Sequence, residues 1–164
     1  MRILLAVLLA PMLFACAKTE TGEATSVAVT DASAASKLAV QSVYDGFAAG
    51  DMEKVAGAMS PDIVWNEAES APYADNNPYV GPDAIFSGLF ARLGGEWDHF
   101  EAIPAQMVAE GGDVVVFGRY HGTYLATGKT LDAQFVHHWT VKDGKIATFQ
   151  QYTDTAQHQA VMSE

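Results

Sequence analysis

The stretch GRYHGTYLATGKTLDAQFVHHWTVKDGKIATFQQYTDT, residues 118–155, decides the fold of this chain. It predicts three successive antiparallel strands joined by two short turns, each with a glycine that supplies the positive φ of a tight reversal. In the middle strand, Phe135, His137 and Trp139 alternate with residues that point to the opposite face. Large rings and one imidazole therefore share a face, as in a sheet that lines a pocket.

The N-terminal residues have the pattern of a bacterial processing signal. Arg2 precedes an apolar run, residues 3–14, that is too short to span a bilayer. The four residues that end at Cys16 resemble the lipobox, in which the cysteine becomes the lipidated N-terminus; a signal peptide with a chance cysteine is the alternative. We predict a signal peptide over residues 1–15 and a lipid anchor at Cys16. Because no aspartate follows the cysteine, we expect an outer-membrane lipoprotein that faces the periplasm.

Composition divides the rest of the chain. Residues 16–34 contain no aromatic side chain and predict a flexible tether after the lipidated cysteine, whereas residues 35–160 suit one domain and residues 161–164 form a tail. The single cysteine excludes a disulfide within the chain. The formal net charge of −11 argues against nucleic-acid binding, which requires basic patches. No residues have metal-site spacing, so we predict neither a metal nor a cofactor.

The domain reads as helices followed by strands. Apolar residues at helical spacing predict a helix over 38–47, a short helix after Asp51 and a third helix over 82–94. A strand over 63–67 precedes the third helix, and four strands begin at Trp97. This order predicts an α+β fold in which a cone-shaped, curved antiparallel sheet wraps around three N-terminal helices.

Five short strings stand in order along the domain. They are AAGD at 48–51, IVWNE at 63–67, VGPDAI at 80–85, WTVKDGKI at 139–146 and QYTDT at 151–155. Together they resemble the nuclear transport factor 2-like, or ketosteroid isomerase-like, superfamily and its SnoaL-like branch. The resemblance covers the mature domain and implies a cystatin-like α+β roll that forms a homodimer through its outer sheet face. It leaves the function open, because this fold hosts isomerases, cyclases, hydrolases and plain binding modules.

Glu67 is the first candidate for chemistry. Strand alternation places it on the same face as Ile63 and Trp65, where removal of water raises the pKa of a carboxyl group and suits it to proton transfer. The resemblance implies that Glu67 occupies the position of the isomerase's general base. A strand-end glutamate in solvent is the alternative.

His137 is the second candidate. The resemblance implies that it occupies the position of the protonated acid that donates a hydrogen bond to the developing oxyanion in the isomerase. A histidine can donate that bond or act as an acid near neutral pH. The alternative is a core histidine satisfied by a backbone carbonyl.

Other side chains are predicted to line the cavity and bind the substrate. Pairing across the two turns brings side chains of neighbouring strands onto one face of the sheet. A loop rich in Asn and containing Tyr is expected at the mouth of the cavity. A slip of one residue would bring Arg119 and His121 to the inner face instead. The predicted substrate-binding residues are Trp65, Tyr73, Tyr79, Tyr120, Phe135, Trp139, Phe149 and Gln151.

The chain also departs from its relatives. The isomerase's oxyanion tyrosine aligns with Val43, with Tyr44 one step away around the helix, and the SnoaL-like catalytic aspartate aligns with Gln151. The first hypothesis is a cofactor-independent isomerase, cyclase or hydrolase that uses Glu67 and His137 on a small apolar carbonyl compound. The alternatives are a non-catalytic module that binds a small molecule and a dimeric structural domain.

Overall fold

A computed structural model describes residues 21–164 of the chain. The predicted signal peptide and Cys16 lie outside the described residues. The elements are α1 Thr21–Ala49, α2 Met52–Ala58, β1 Met59–Asn66, a 3-10 turn Ala74–Asn76, β2 Tyr79–Val80, α3 Pro82–Ile85, a π-helical turn Phe86–Phe90, α4 Ala91–Glu96, β3 Trp97–Glu110, β4 Asp113–Tyr124, β5 Thr130–Lys142, β6 Lys145–Thr153 and α5 Thr155–Met162. The predicted order of helices and strands is confirmed, with the short strand β2 and the helix α5 as additions.

Helix α1 begins earlier than the sequence analysis expected. The prediction of a flexible tether over residues 16–34 is wrong from Thr21 onward, where the chain is helical. Alanine recurs through this stretch and favours a helix. The side-chain oxygen of Ser33 accepts a hydrogen bond from the backbone N–H of Gly111 at 2.8 Å, which ties the helix to the β3–β4 turn. No helix among residues 21–164 is both long and apolar enough to cross a membrane.

The six strands form one curved sheet in the order β2-β1-β6-β5-β4-β3. Strand β1 runs parallel to β6, with Trp65 opposite Phe149, and every other neighbouring pair is antiparallel. The sheet is therefore mixed, which corrects the prediction of an antiparallel sheet. The chain leaves β1 through the helices and three long strands before it returns, so no hairpin constrains the direction of this pair.

The predicted register of the three C-terminal strands is confirmed. Gly118 lies opposite Phe135, and His137 lies opposite Gln151. The register that is slipped by one residue does not occur. Side chains of β4, β5 and β6 therefore share the concave face, which packs against the helices. The buried hydrophobic side chains that the helices contribute are Val40, Val43, Tyr44, Val55, Ile85, Leu89, Leu93 and Val161.

The outer face of the sheet carries exposed rings. Phe117 of β4 is 42% exposed and Tyr152 of β6 is 56% exposed. Both lie opposite Val136 of the middle strand β5. The homodimer that the family resemblance implies would use this face, and it stays a prediction.

Gly118 lies where β4 has no room for a side chain. A Cβ atom at this position would stand 2.3 Å from Cζ of Phe135 and 2.4 Å from the carbonyl oxygen of Ile103. We expect Gly118→Ala to lower the free energy of unfolding by about 2 kcal/mol, because overpacking forces the backbone to shift. Urea denaturation measures the change. Gly57→Ala is the control, because a Cβ there meets nothing within 4 Å and alanine favours the helix, which predicts equal or higher stability.

Candidate functional site

A cavity of about 60 Å³ lies between the concave face of the sheet and the helices. Aromatic and aliphatic side chains form most of its wall. The titratable and amide side chains in the wall are Tyr44, Glu67, Tyr73, Tyr120, His137, Gln151 and His158. No lysine or arginine of the described chain lines the cavity. Because pockets for drug-sized ligands span roughly 300–1,000 Å³, this cavity matches a much smaller molecule.

Six of the eight predicted substrate-binding residues line the cavity: Trp65, Tyr73, Tyr120, Trp139, Phe149 and Gln151. Tyr79 and Phe135 do not line it, and their assignment to substrate binding stays a prediction. The ring of Tyr79 packs beside Gly88, and its hydroxyl donates a hydrogen bond to the carbonyl of Tyr73 at 2.7 Å. The ring of Phe135 stacks on His137, with centroids 3.9 Å apart, and so lies behind that side chain.

Glu67 lies one residue beyond β1 and is buried, on the same face as Trp65. The indole N–H of Trp65 donates a hydrogen bond to Oε1 of Glu67 at 2.7 Å. Asn77 holds the backbone of Glu67 from both sides: it accepts from the N–H at 3.0 Å and donates to the carbonyl at 2.8 Å. The carboxyl group is thus fixed in place, and the alternative of a glutamate in solvent is excluded.

The acidity of Glu67 follows from this burial. Removal of water raises the pKa of its carboxyl group to about 7, although hydrogen bonds from Trp65 and Gln151 lower it in part. A pKa near 7 means that both the protonated and the ionised forms are present near neutral pH. Glu67 is therefore suited to take up and return a proton.

His137 is held between two phenols. The hydroxyl of Tyr44 lies 2.7 Å from Nδ1, and the hydroxyl of Tyr120 lies 2.5 Å from Nε2. Burial lowers the pKa of His137 well below its ordinary value, so the ring is neutral. The partners are therefore two side chains, and the alternative of a histidine satisfied by a backbone carbonyl does not occur.

Hydrogen counting shows what these three side chains offer a ligand. A neutral imidazole has one N–H and one lone pair, so one phenol donates to the ring and the other accepts from it. The two bonds use one ring N–H and one phenol O–H. One O–H, of Tyr44 or of Tyr120, therefore remains free to donate to a ligand, whereas His137 has no free ring nitrogen.

Gln151 extends the row of hydrogen bonds. Its Nε2 donates to the Tyr120 hydroxyl at 2.9 Å, and its Oε1 accepts from the backbone N–H of Ala68 at 3.1 Å. Burial raises the pKa of both Tyr44 and Tyr120, so both phenols stay protonated and act as donors. We call Tyr44, His137, Tyr120 and Gln151 the polar row of the cavity.

Tyr73 closes the cavity from the β1–β2 loop and is anchored on both sides. Its hydroxyl donates to Oε2 of Glu96 at 2.7 Å and accepts from Nε1 of Trp97 at 2.6 Å. Arg92 pairs with Asp75 at 2.9 Å, and its guanidinium lies 4.6 Å from the centre of the Tyr73 ring. These contacts hold the loop against α4.

Sequence reasoning missed two of the polar residues that line the cavity, Tyr44 and His158. Tyr44 seemed rotated away from the site, but both it and Val43 line the cavity. His158 lies on α5, a helix that was not predicted. The available signal was Asp154, the N-cap, whose carboxylate accepts a hydrogen bond from the N–H of Gln157 at 3.0 Å.

The described residues show no metal centre. Among residues 21–164, no three His, Cys, Asp or Glu side chains lie close enough together to hold a metal ion. What the cavity does contain is a carboxyl group that titrates near neutral pH and a free phenol donor. Groups of these two kinds are suited to acid–base chemistry.

A curved mixed sheet covered by helices, with a cavity between them, defines an α+β cone domain of the ketosteroid isomerase-like type. The model of the SnoaL-like domain family matches residues 40–149, and the chain belongs to this family. No curated protein sequence matches the chain.

Solved structures agree with this assignment. An NTF2-like protein of Burkholderia thailandensis E264 is 32% identical with a TM-score of 0.75, over 79% of this chain and 98% of that one. TerC, co-crystallized with polyporic acid, is 28% identical with a TM-score of 0.71, over 77% of this chain and 97% of TerC. A Catenulispora acidiphila protein with a ketosteroid isomerase-like fold, in complex with trimethylamine, is 14% identical with a TM-score of 0.64, over 75% and 90% of the two chains, and shares the fold alone.

Proposed function

We propose that this SnoaL-like domain catalyses proton transfer at the carbon next to the carbonyl group of a small, neutral, largely apolar compound. The observation that carries the proposal is the position of Glu67. Its buried carboxyl group, with a pKa raised to about 7, lines the same cavity as the phenols of Tyr44 and Tyr120. A base and a hydrogen-bond donor therefore line one cavity.

Each group has a defined part in the reaction. The carboxylate of Glu67 takes a proton from the α carbon, and the electron pair of the C–H bond becomes the double bond of an enolate. The carbonyl oxygen gains the negative charge and accepts a hydrogen bond from the free phenol of Tyr44 or Tyr120. Glu67 then returns the proton to carbon. His137 holds the phenols, whereas the sequence hypothesis had its ring contact the ligand directly.

The cavity restricts the class of substrate. A volume of about 60 Å³ excludes polycyclic compounds unless the domain opens. Because the wall contains no cationic side chain, an anionic ligand would be buried without a partner, so a neutral one is favoured. The co-crystallization of TerC with polyporic acid supports an organic ligand.

Exchange of α protons for deuterium tests the proposal directly. Butanone in D₂O is incubated with the protein, and the loss of its α-proton signals is followed by NMR. We expect the protein to accelerate the exchange beyond the rate in buffer. Binding of butanone with no acceleration would instead favour the non-catalytic binding module, the second candidate function, which is supported by Gln151 in place of the family's catalytic aspartate.

We also propose that Cys16 carries the lipid anchor of an envelope protein at the outer membrane. The apolar run before Cys16 and its lipobox-like context support this proposal. We expect Cys16→Ser to yield an unprocessed or soluble protein that no longer partitions into detergent, because the lipidated thiol is lost. Phase separation in detergent measures this, with Ala17→Ser as the control. A C16S protein that is cleaved normally and still enters the detergent phase would contradict the proposal.

A further inference from the structure

The cavity wall contains a histidine that the proposed proton transfer does not use. His158 on α5 is 3% exposed and lines the cavity. Its Nε2 is enclosed by protein and has no hydrogen-bond partner among the described residues. An unpaired buried nitrogen lowers stability, and such atoms are rare in folded proteins. Its presence in the wall of a cavity indicates that a bound molecule is its partner.

The position of His158 is well defined. Lys129 and Thr127 of the β4–β5 turn donate hydrogen bonds to backbone carbonyls near the C-terminal end of α5. The ring of His158 meets the ring of Tyr120 edge to face, with centroids 5.6 Å apart. Helix α5 therefore holds the imidazole against Tyr120 of the polar row, and both side chains line the cavity.

The other buried nitrogen near the polar row lies beside Tyr44. Nε1 of Trp139 makes no hydrogen bond of good geometry among the described residues, but its ring meets that of Tyr44 edge to face with centroids 5.8 Å apart, and its N–H lowers the pKa of the Tyr44 hydroxyl in part. Trp139 therefore interacts within the row, where a phenol is proposed to bind the carbonyl oxygen. The unpaired nitrogen of His158 calls for a polar group at a separate point of the ligand.

The charge of the cavity wall restricts the chemical class of the second polar group on the ligand. Burial lowers the pKa of His158 to about 4, so the ring is neutral near pH 7 and can donate or accept one hydrogen bond at Nε2. Glu67 is the acidic side chain in the wall, and no lysine or arginine lines it. A carboxylate or phosphate on the ligand would have no counter-charge, whereas a hydroxyl or a second carbonyl matches the neutral imidazole.

We infer that His158 is a ligand-binding residue of the cavity, and that the molecule bound there carries a second neutral oxygen function besides its carbonyl group, as in a hydroxy ketone. Only the carbonyl group of the ligand in this inference rests on the proposed function. It extends that function by naming the second recognition point and the class of compound.

Matched ligands test the inference. Butanone, 3-hydroxy-2-butanone and 4-hydroxy-2-butanone are titrated into the mature protein labelled with ¹⁵N-histidine. We expect one of the hydroxy ketones to bind about fivefold more tightly than butanone, as one added hydrogen bond of about 1 kcal/mol predicts. That ligand shifts the Nε2 resonance of His158, and His158→Phe removes the preference for the hydroxy ketone over butanone.

The controls separate binding from folding. His121→Phe alters a histidine of β4 outside the cavity and leaves the preference intact. His158→Phe has a melting temperature equal to or above that of the wild type, because an unpaired nitrogen is lost. A merely structural His158 would instead lower the melting temperature and weaken all three ligands alike. If His158→Phe does not fold, the inference is tested with His158→Gln and with the ligand-induced shift of the His158 Nε2 resonance in the wild-type protein.

Two results overturn the inference: wild-type protein that binds no hydroxy ketone more tightly than butanone, or a His158→Phe protein that keeps the preference. Both leave the proposed function open, because exchange of the α protons of butanone depends on Glu67 and is measured separately.

Discussion

Glu67→Gln slows the exchange of the α protons of butanone by at least about 100-fold, the lower end of what a positioned base contributes. Glutamine has the shape of the carboxylic acid and keeps an acceptor for the indole N–H of Trp65, but it cannot take a proton. The affinity for butanone therefore stays unchanged while turnover is lost. NMR measures both quantities in the same samples.

The pH dependence of exchange gives an independent view of the same carboxyl group. In the wild type the rate rises with pH through about 7 and then levels, because the ionised form of Glu67 is the base. Glu69→Gln is the matched control, since this exposed glutamate lies two residues away and its loss leaves the profile unchanged. An E67Q protein with the wild-type rate removes Glu67 as the base.

Glu67→Gln also stabilises the fold at alkaline pH. The pKa of Glu67 is about 7 in the folded protein, against an ordinary value of 4.5 for a glutamate. At 1.36 kcal/mol per unit, ionisation of the buried carboxyl group costs about 3 kcal/mol. We therefore expect the free energy of unfolding of the variant to exceed that of the wild type by about 3 kcal/mol at pH 8 and to equal it at pH 4.

The direction in which the stability of the wild type changes with pH follows from proton binding. The folded state holds the proton of Glu67 more tightly than the unfolded state, so the wild type loses stability as pH rises from about 4.5 to about 7. Burial lowers the pKa values of His137 and His158, which acts in the opposite direction below pH 6.5. Both proteins share these histidines, so the difference between their urea unfolding curves isolates Glu67. A constant difference between pH 4 and pH 8 contradicts the raised pKa.

Local patterns predicted the parts of the fold that depend on neighbouring residues. Alternation and turn glycines predicted the register that pairs His137 with Gln151. The parallel pairing of β1 with β6 was not predictable, because no local signal links strands so far apart. Helix α5 was missed because it is short and buries only His158 and Val161, so its sequence has no regular apolar stripe.

The candidate site was predicted in outline, and its chemistry was not. The shared face of Trp65 and Glu67 followed from strand alternation. The partners of His137 depend on where α1 lies against the sheet, and Tyr44 stands 93 residues away in sequence. Phe135 was assigned to the cavity because a shared face does not show which ring lies behind another.

A proton that changes sides on the imidazole of His137 alters what the domain displays without displacing any heavy atom. With hydrogen on Nδ1, the phenol of Tyr44 is free; with hydrogen on Nε2, that of Tyr120 is free. A single rigid domain thus binds the acceptor atom of a ligand in two orientations. Substitution of the surrounding rings would change the shape of the cavity and leave this choice between two donors intact.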